Sequence, residues 1–395
     1  MSPTGSRLRG WNSVGPVVLA VLIYAGQLKQ NPLLSWIPGD LTVLCVIIVV
    51  VAALVTRVRS GPATSYVVLP YVAWILFLPA VALTPATEYA QDKVITLFTI
   101  SLILAVAPFY LLRQAGQRKV FLATFVVIAV LVALYSLFFD QVTANNFSTG
   151  LAFDGADTIG TGRIAMTGAL VCLILALRGK VLFPSRVALF LLAVSIAFLA
   201  VASGSRGPLV AALLAVIVMV CVSPGFKSRR AFSVSLAIVA VGCLVWFASS
   251  ESNRGGARAF SVFAGESDSS TDARIELWSA AWQQFSTSPL GSGWGGYDSP
   301  LSTIHYPHNV LLEIFVEAGI LVGSVVFLFT FITVLSSLRI AIEWEEVTML
   351  GLIVFGLFNA LVSSDINGSR LLIVAIFSVW SLKRPGVCRQ KVRRP

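Results

Sequence analysis

The segment His305-Tyr306-Pro307-His308-Asn309 carries both histidines of the chain, at the point where a long polar stretch enters the apolar run 309–335. Imidazole has an ordinary pKa of about 6.5, which makes it the side chain best suited to moving protons near neutral pH. Glu313 and Glu317 follow one and two turns into the apolar run, ahead of Gly319 and Gly323. A charge at membrane depth costs about 2.5–3.5 kcal/mol on insertion scales, so carboxylates there call for partners. On an ideal helix the two share a face about 140–180° round from His308. They are expected to bind backbone or neighbouring helices rather than a reacting atom. The histidines admit three readings. Their i, i+3 spacing could hold a metal, although no third ligand lies nearby in sequence and Pro307 interrupts a regular helix. His308 could instead cap the following helix, or it could transfer protons.

Three arginines are candidates to work beside that histidine. Arg206 sits in the tight connection Ser203-Gly204-Ser205-Arg206-Gly207-Pro208, which leaves its charge little reach from the membrane. Held there, it can snorkel to the interface or offer a planar fork to phosphate oxygens. Arg274 could pair with Asp272 or Glu276, or form a second anion clamp. Arg163 could simply answer Asp154 or Asp157.

The chain that positions these residues has 395 residues, 57% of them hydrophobic and only 12% charged, a composition that excludes an ordinary soluble domain. Apolar runs lie at 14–28, 36–55, 66–83, 94–112, 120–139, 164–177, 187–202, 208–222, 231–249, 309–335, 347–362 and 371–382. Several fall short of the norm of about 20 residues per span. The expected architecture is all-α: a polytopic membrane protein of about 12 transmembrane helices with one large external loop carrying short amphipathic helices. Its parts are helices 1–9 within 1–249, the extracytoplasmic loop or lid 250–308, helices 10–12 within 309–382, and a basic cytoplasmic tail 383–395. The first run follows Arg7 and Arg9 without a convincing cleavage site before Lys29, and reads as a retained helix.

With both termini in the cytoplasm, most basic residues fall on the inner side. They are Arg7, Arg9, Arg57, Arg59, Arg113, Arg118, Lys119, Arg178, Lys180, Arg186, Lys227, Arg229, Arg230, Arg339 and the six from Lys383 to Arg394. The other eight are Lys29, Lys93, Arg163, Arg206, Arg254, Arg258, Arg274 and Arg370. This is the positive-inside bias, and it turns a net charge of +10 into a statement about topology rather than nucleic-acid binding. The tail can also touch anionic lipid. Four of the five cysteines, Cys45, Cys172, Cys221 and Cys243, lie in apolar runs and Cys388 lies in the tail, a placement that suits neither a structural disulfide nor a cysteine-based metal site. The inner connections carry no phosphate-binding glycine loop.

The outer connections are more elaborate. Residues 140–163 are polar and include Asp140, Asn145, Asn146, Asp154 and Asp157; 252–270 is polar and Gly-rich. Ile275, Trp278, Trp282 and Phe285 recur at helical spacing, which predicts a helix over 271–285 lying on the membrane interface and ended by Pro289 and Gly291. The stretch Gly291-Ser292-Gly293-Trp294-Gly295-Gly296 then reads as a flexible approach to the histidines.

Three motifs in order resemble the O-antigen ligase/polymerase superfamily. They are Ser205-Arg206-Gly207-Pro208-Leu209; Arg274-Ile275-Glu276-Leu277-Trp278 followed by Pro289-Leu290-Gly291-Ser292-Gly293; and His308-Asn309-Val310-Leu311-Leu312-Glu313 continuing to Glu317-Ala318-Gly319. The resemblance covers roughly 160–335. It implies a multi-pass protein of the bacterial plasma membrane, with its active site on the extracytoplasmic face. The implied enzyme is a metal-independent glycosyltransferase that needs no cofactor. Its donor would be a glycan linked to polyprenyl diphosphate and its acceptor a glycan or glycolipid. By motif match His308 is the catalytic residue and Arg206 and Arg274 hold the diphosphate, with Arg163 a looser carry-over; His305 has no counterpart. A transporter or lipid-linked-glycan flippase is the alternative, although Thr56-Arg57-Val58-Arg59-Ser60-Gly61 lacks the acid of a major-facilitator loop. Ligase and polymerase are not separable from the sequence, nor are sugar, carrier or oligomeric state.

Overall fold

The computed structural model describes residues 4–29, 31–60, 64–139, 144–145, 148–149, 157–177, 182–203, 205–222, 269–302, 304–344 and 347–383. The expected ninth run at 231–249, the Gly-rich stretch 252–268 and most of the loop 140–156 lie outside them.

Each apolar run within the described residues is helical, because a backbone removed from water must satisfy its own N–H and C=O groups. We number the helices α1 (Thr4–Leu28), α2 (Leu41–Ser60), α3 (Val68–Val81), α4 (Glu88–Leu111), α5 (Ala115–Phe139), α6 (Thr158–Leu177), α7 (Phe183–Ala202), α8 (Arg206–Val222), α9 (Ser269–Thr287), α10 (Val310–Trp344), α11 (Val347–Ser363) and α12 (Arg370–Leu382). Among the described residues, six helices are long and apolar enough to cross a membrane, namely α2, α4, α5, α6, α7 and the Val310–Ala341 part of α10. Five more, within α1, around α3, and α8, α11 and α12, are apolar but shorter. The strands described are a two-residue antiparallel pair, Ala144–Asn145 with Ser148–Thr149, so the fold is all-α in substance. The protein is a multi-pass membrane protein.

Two helices show what surrounds it. On α2, Val43, Ile47, Val51 and Leu54 are exposed; on α10, Leu321, Phe327, Leu328 and Phe331 are too. Such faces are stable only against lipid. The interior is built on α6, which packs on α5 and α7, and on α11, which packs on α8, α10 and α12. Phe109, Phe121, Phe125 and Phe355 are fully buried there.

The feature that shapes the site is a break in α10. Gly319 has φ 81° and ψ 174°, which interrupts the helix nine residues after it starts. The freed carbonyls of Val316 and Glu317 do not go unpaired: Ser292 N–H donates to Val316 at 3.0 Å and Gly293 N–H to Glu317 at 2.9 Å, while Ile320 N–H reaches Pro289 O at 2.8 Å. The loop after α9 therefore acts as a splint for α10. It is also wedged against α3. Gly293 has φ 83°, and a Cβ there would sit 2.2 Å from the Leu83 carbonyl carbon. Trp294 is completely buried, its indole N–H donating to Phe77 O at 3.1 Å and its ring meeting Phe77 edge-on. The expectation of a flexible Gly-rich approach is thus overturned: these glycines permit close backbone contact rather than mobility.

Helix α9 is amphipathic, but its buried stripe is Leu277 and Ala281, packed with Tyr297 and Val316, with Phe285 against Phe315. Ile275 and Trp282 point outward and are exposed. The aromatic spacing found the helix, while the small residue Ala281 marks the face that meets α10.

Candidate active site

The start of α6, the start of α8, the segment before α10 and the connection between α11 and α12 converge at one end of the bundle. Arg57, Arg59, Arg113, Lys119, Arg186, Arg339 and Lys383 occupy helix ends at the other.

His308 sits at φ 53°, a left-handed conformation that is uncommon for a non-glycine residue and is held here by its surroundings. Capping belongs to its neighbour: Asn309 Oδ1 accepts from Leu311 N–H at 3.1 Å and Leu312 N–H at 3.2 Å. This removes capping as the reason for His308. Its ring lies 4.4 Å from that of Tyr306 and hydrogen-bonds the backbone of Ser363, the last residue of α11. Nδ1 is buried and meets no hydrogen-bond partner among the described residues.

The same carbonyl receives Arg163. Its Nη2 lies 2.8 Å from Ser363 O and 2.8 Å from Ser363 Oγ. Arg163 does not spend its charge on Asp157, whose Oδ1 instead accepts from Gly160 N–H at 2.6 Å; Asp154 lies outside the described residues. A cavity of about 50 Å³ adjoins Arg163, lined by Tyr24, Gln27, Asn359, Ser364 and Ser369 among others. It has room for a few water molecules.

Burial holds the His308 pKa below its ordinary value, and the positive charges of Arg274 and then Arg163 push in the same direction. The Ser363 bond and the negative charge of Asp365 oppose them without prevailing. The imidazole is thus neutral at physiological pH. Tyr306, raised chiefly by burial and then by Asp365, keeps its phenolic proton. Arg274 is near enough for its charge to be felt at His308. Arg206 opens α8, and the backbone of the next residue, Gly207, faces Val362 and Ser363. Arg163, Arg206 and His308 therefore lie on elements that meet around the end of α11, with the charge of Arg274 reaching His308 from α9. His305 stands apart, exposed and stacked on Tyr89 at 4.7 Å.

Three residues of this site had not been singled out from the sequence. Ser363 and Asp365 belong to the α11–α12 connection, where only their position at the right end of the bundle could have flagged them. Lys93 is the third. Its Nζ lies 2.5 Å from Glu313 Oε1 and 2.7 Å from Glu317 Oε2, and all three side chains are at most 1% exposed. The signal was present as a lysine at the head of one apolar run and two glutamates at the head of another. Among the described residues no group of three or more His, Cys, Asp or Glu side chains is placed to hold a metal ion.

An apolar groove of about 220 Å³ between α2, α3 and α4 is lined by Val49, Ala53, Ile103 and Val106 and bounded by Arg57, Tyr71 and Tyr110. It lies toward the end of the bundle opposite His308. No curated protein matches the chain. Residues 188–328 match the family model for O-antigen ligase, a stretch that holds Arg206, Arg274 and His308 and leaves Arg163 outside. That match supports the O-antigen ligase/polymerase superfamily, which the three ordered motifs resemble.

Proposed function

We propose that the protein transfers a glycan from a polyprenyl diphosphate carrier to a hydroxyl of an acceptor glycan or glycolipid, at the outer face of the plasma membrane. The observation that carries this reading is the state of His308: its pKa is held below the ordinary value by burial and then by Arg274, it lies beside the Ser363 backbone, and its buried Nδ1 has no partner among the described residues. Such an atom is a general base waiting for a proton.

In this mechanism Nδ1 removes the proton of the acceptor hydroxyl as that oxygen attacks the anomeric carbon. The bond from the anomeric carbon to the diphosphate oxygen breaks, and polyprenyl diphosphate leaves with the electron pair. Direct displacement inverts the anomeric centre. The imidazolium that forms is stabilised by the Ser363 carbonyl, at the negative end of α11, and by Asp365. Arg206 and Arg274 hold the diphosphate and balance the charge that grows on the leaving group. Arg163, already bonded to Ser363, adds positive charge and fixes the carbonyl rather than presenting a free fork. No step in this scheme calls for a metal or cofactor.

The test is incubation of purified protein with a lipid-diphosphate-linked glycan and candidate acceptors, followed by mass analysis. The expected result is a joined product from the wild type and none from His308→Ala, with donor binding retained. Undiminished turnover by His308→Ala refutes the assignment of the base. Movement of unmodified donor across liposomes, with no product formed, refutes the enzymatic reading.

A further inference from the structure

We propose that Lys93 is a positioning residue for this transfer, acting through Glu313 and the α11–α12 connection to hold the Ser363 carbonyl against His308; the proposal rests on the reading of His308 as the base.

The argument follows one continuous set of contacts. Lys93 is buried near the start of α4 and meets both carboxylates of α10 at ion-pair distance. Glu313 is not occupied by Lys93 alone: its Oε2 accepts the backbone N–H of Ile366 at 2.8 Å. Ile366 lies three residues beyond Ser363, in the short connection between α11 and α12. The next residue, Asn367, donates to the backbone carbonyl of Lys93 at 2.9 Å and accepts from Ser101 Oγ at 3.0 Å. The connection is thus clamped onto α4 from two sides. Within it, Asp365 closes a turn by accepting Gly368 N–H at 2.7 Å. Immediately before it stands the carbonyl shared by Arg163 and His308.

Glu317 completes the arrangement. Its side chain receives Lys93 and its backbone carbonyl accepts Gly293 N–H at 2.9 Å, so the same lysine also holds a residue on which the splinting loop rests. Tyr89, one turn before Lys93, stacks on His305, and Lys93 Nζ lies 5.7 Å from its ring centroid. The start of α10 and the connection between α11 and α12 are therefore both tied to this ammonium group or to a residue bonded to it. Two carboxylates facing one ammonium, all out of contact with water, form an arrangement that tolerates little displacement. That rigidity is what a base needs when a misplacement of about 1 Å can cost on the order of 100-fold in rate.

The experiment compares Lys93→Met, Lys93→Arg and Glu313→Gln in full-length protein in nanodiscs, all on a His305→Gln background. Transfer kinetics are measured alongside the rate at which diethyl pyrocarbonate modifies His308, read by mass. In Lys93→Met, kcat is expected to fall about 10- to 100-fold with KM little changed. His308 modification is expected to accelerate severalfold as the ring loses its anchor. Lys93→Arg, which keeps the charge, restores most of both. Glu313→Gln moves both readouts the same way by less, and serves where Lys93→Met does not stay folded. A fall in kcat with His308 modified at the wild-type rate overturns the proposal, as does an unchanged kcat in both Lys93→Met and Glu313→Gln. The modification rate needs no turnover, so it still judges Lys93 if His308→Ala proves active and the base lies elsewhere.

Discussion

Replacing Gly319 by alanine tests whether the break in α10 is a working part of the site. The backbone at Gly319 lies in a region open essentially to glycine alone, and placing another residue there costs about 1–3 kcal/mol. An added Cβ would sit 2.4 Å from Leu290 O and 2.5 Å from Leu290 C, backbone atoms that cannot swing aside. The loop must then leave the gap and give up three hydrogen bonds, from Ser292, Gly293 and Ile320, each with a net value of about 0.5–1.5 kcal/mol. A straightened α10 recovers part of this through its own ladder, so a net loss of about 2–6 kcal/mol is expected. The functional consequence is larger than the thermal one. Helix α9, which carries Arg274, rests on α10 through Leu277, Ala281 and Val316, next to the splint. Once the splint is out, Arg274 is no longer held near His308. The apparent melting temperature in detergent should fall, limited proteolysis between 287 and 297 should speed up, and glycan transfer should be lost. Gly116→Ala is the control, because its Cβ meets nothing within 4 Å and a helical glycine replaced by alanine gains about 0.5–1 kcal/mol. Wild-type melting and transfer by Gly319→Ala would refute the account of the break.

Because burial and Arg274 hold His308 below its ordinary pKa, the acid limb of kcat/KM should lie at lower pH than an ordinary imidazole would give, with the profile level at physiological pH. The same sign applies to stability: with the folded pKa lowered, the unfolded chain takes up the proton first, so His308 destabilises as the pH falls from the ordinary imidazole range towards its folded value, below which the loss is complete. Arg274→Gln removes one of the charges that lower the pKa and should move the onset of protonation to higher pH, measured by the pH dependence of His308 modification on a His305→Gln background. Arg163→Lys should lower turnover, since a single ammonium is a poor replacement for a guanidinium bonded to both oxygens of Ser363; equal activity of the two proteins would show that the fork is not needed. Trp294→Ala empties a fully buried indole site and should cost about 3–5 kcal/mol in chemical denaturation.

The sequence made the membrane class legible because apolar runs of near-spanning length call for lipid, and it drew attention to His308 and the arginines because polar chemistry at membrane depth is conspicuous. It did not reveal the interruption at Gly319. Ala318-Gly319-Ile320 sits inside a run of apolar residues, and glycine in such a run is common enough in membrane helices to pass without notice. What breaks the helix is the backbone of residues 289–293 offering N–H groups to Val316 and Glu317, a partnership that no periodicity encodes. The aromatic spacing of α9 likewise found the helix but not its packed stripe: Ile275 and Trp282 stay exposed, while Leu277 and Ala281 fit the narrow contact with α10. Lys93 was counted among the basic residues that depart from the inner-side bias. Its real significance needs the fold, which brings it to glutamates more than 200 residues away.

The placement of the Ser363 carbonyl explains why the arginines and the base could not be arranged independently. A positively charged site that grips a diphosphate works against a neutral base beside it only mildly, since it discourages protonation before the reaction. It becomes an obstacle during the reaction, when the base must take a proton and carry charge among arginines. The end of α11 addresses this conflict. Its last carbonyl accepts from Arg163, the same backbone acts on the His308 ring, and Asp365 stands two residues on. The carbonyl and the carboxylate give the forming imidazolium a negative environment on one side while Nδ1 stays open on the other. Substrate adds to this, because bound diphosphate offsets the arginines that depress His308 in the empty site. The base should therefore be more basic with donor bound than without it, and the acid limb of kcat should lie at higher pH than that of kcat/KM. An acid limb at the same pH in both profiles would mean that the diphosphate binds too far from His308 for Arg206 and Arg274 to serve as its clamp.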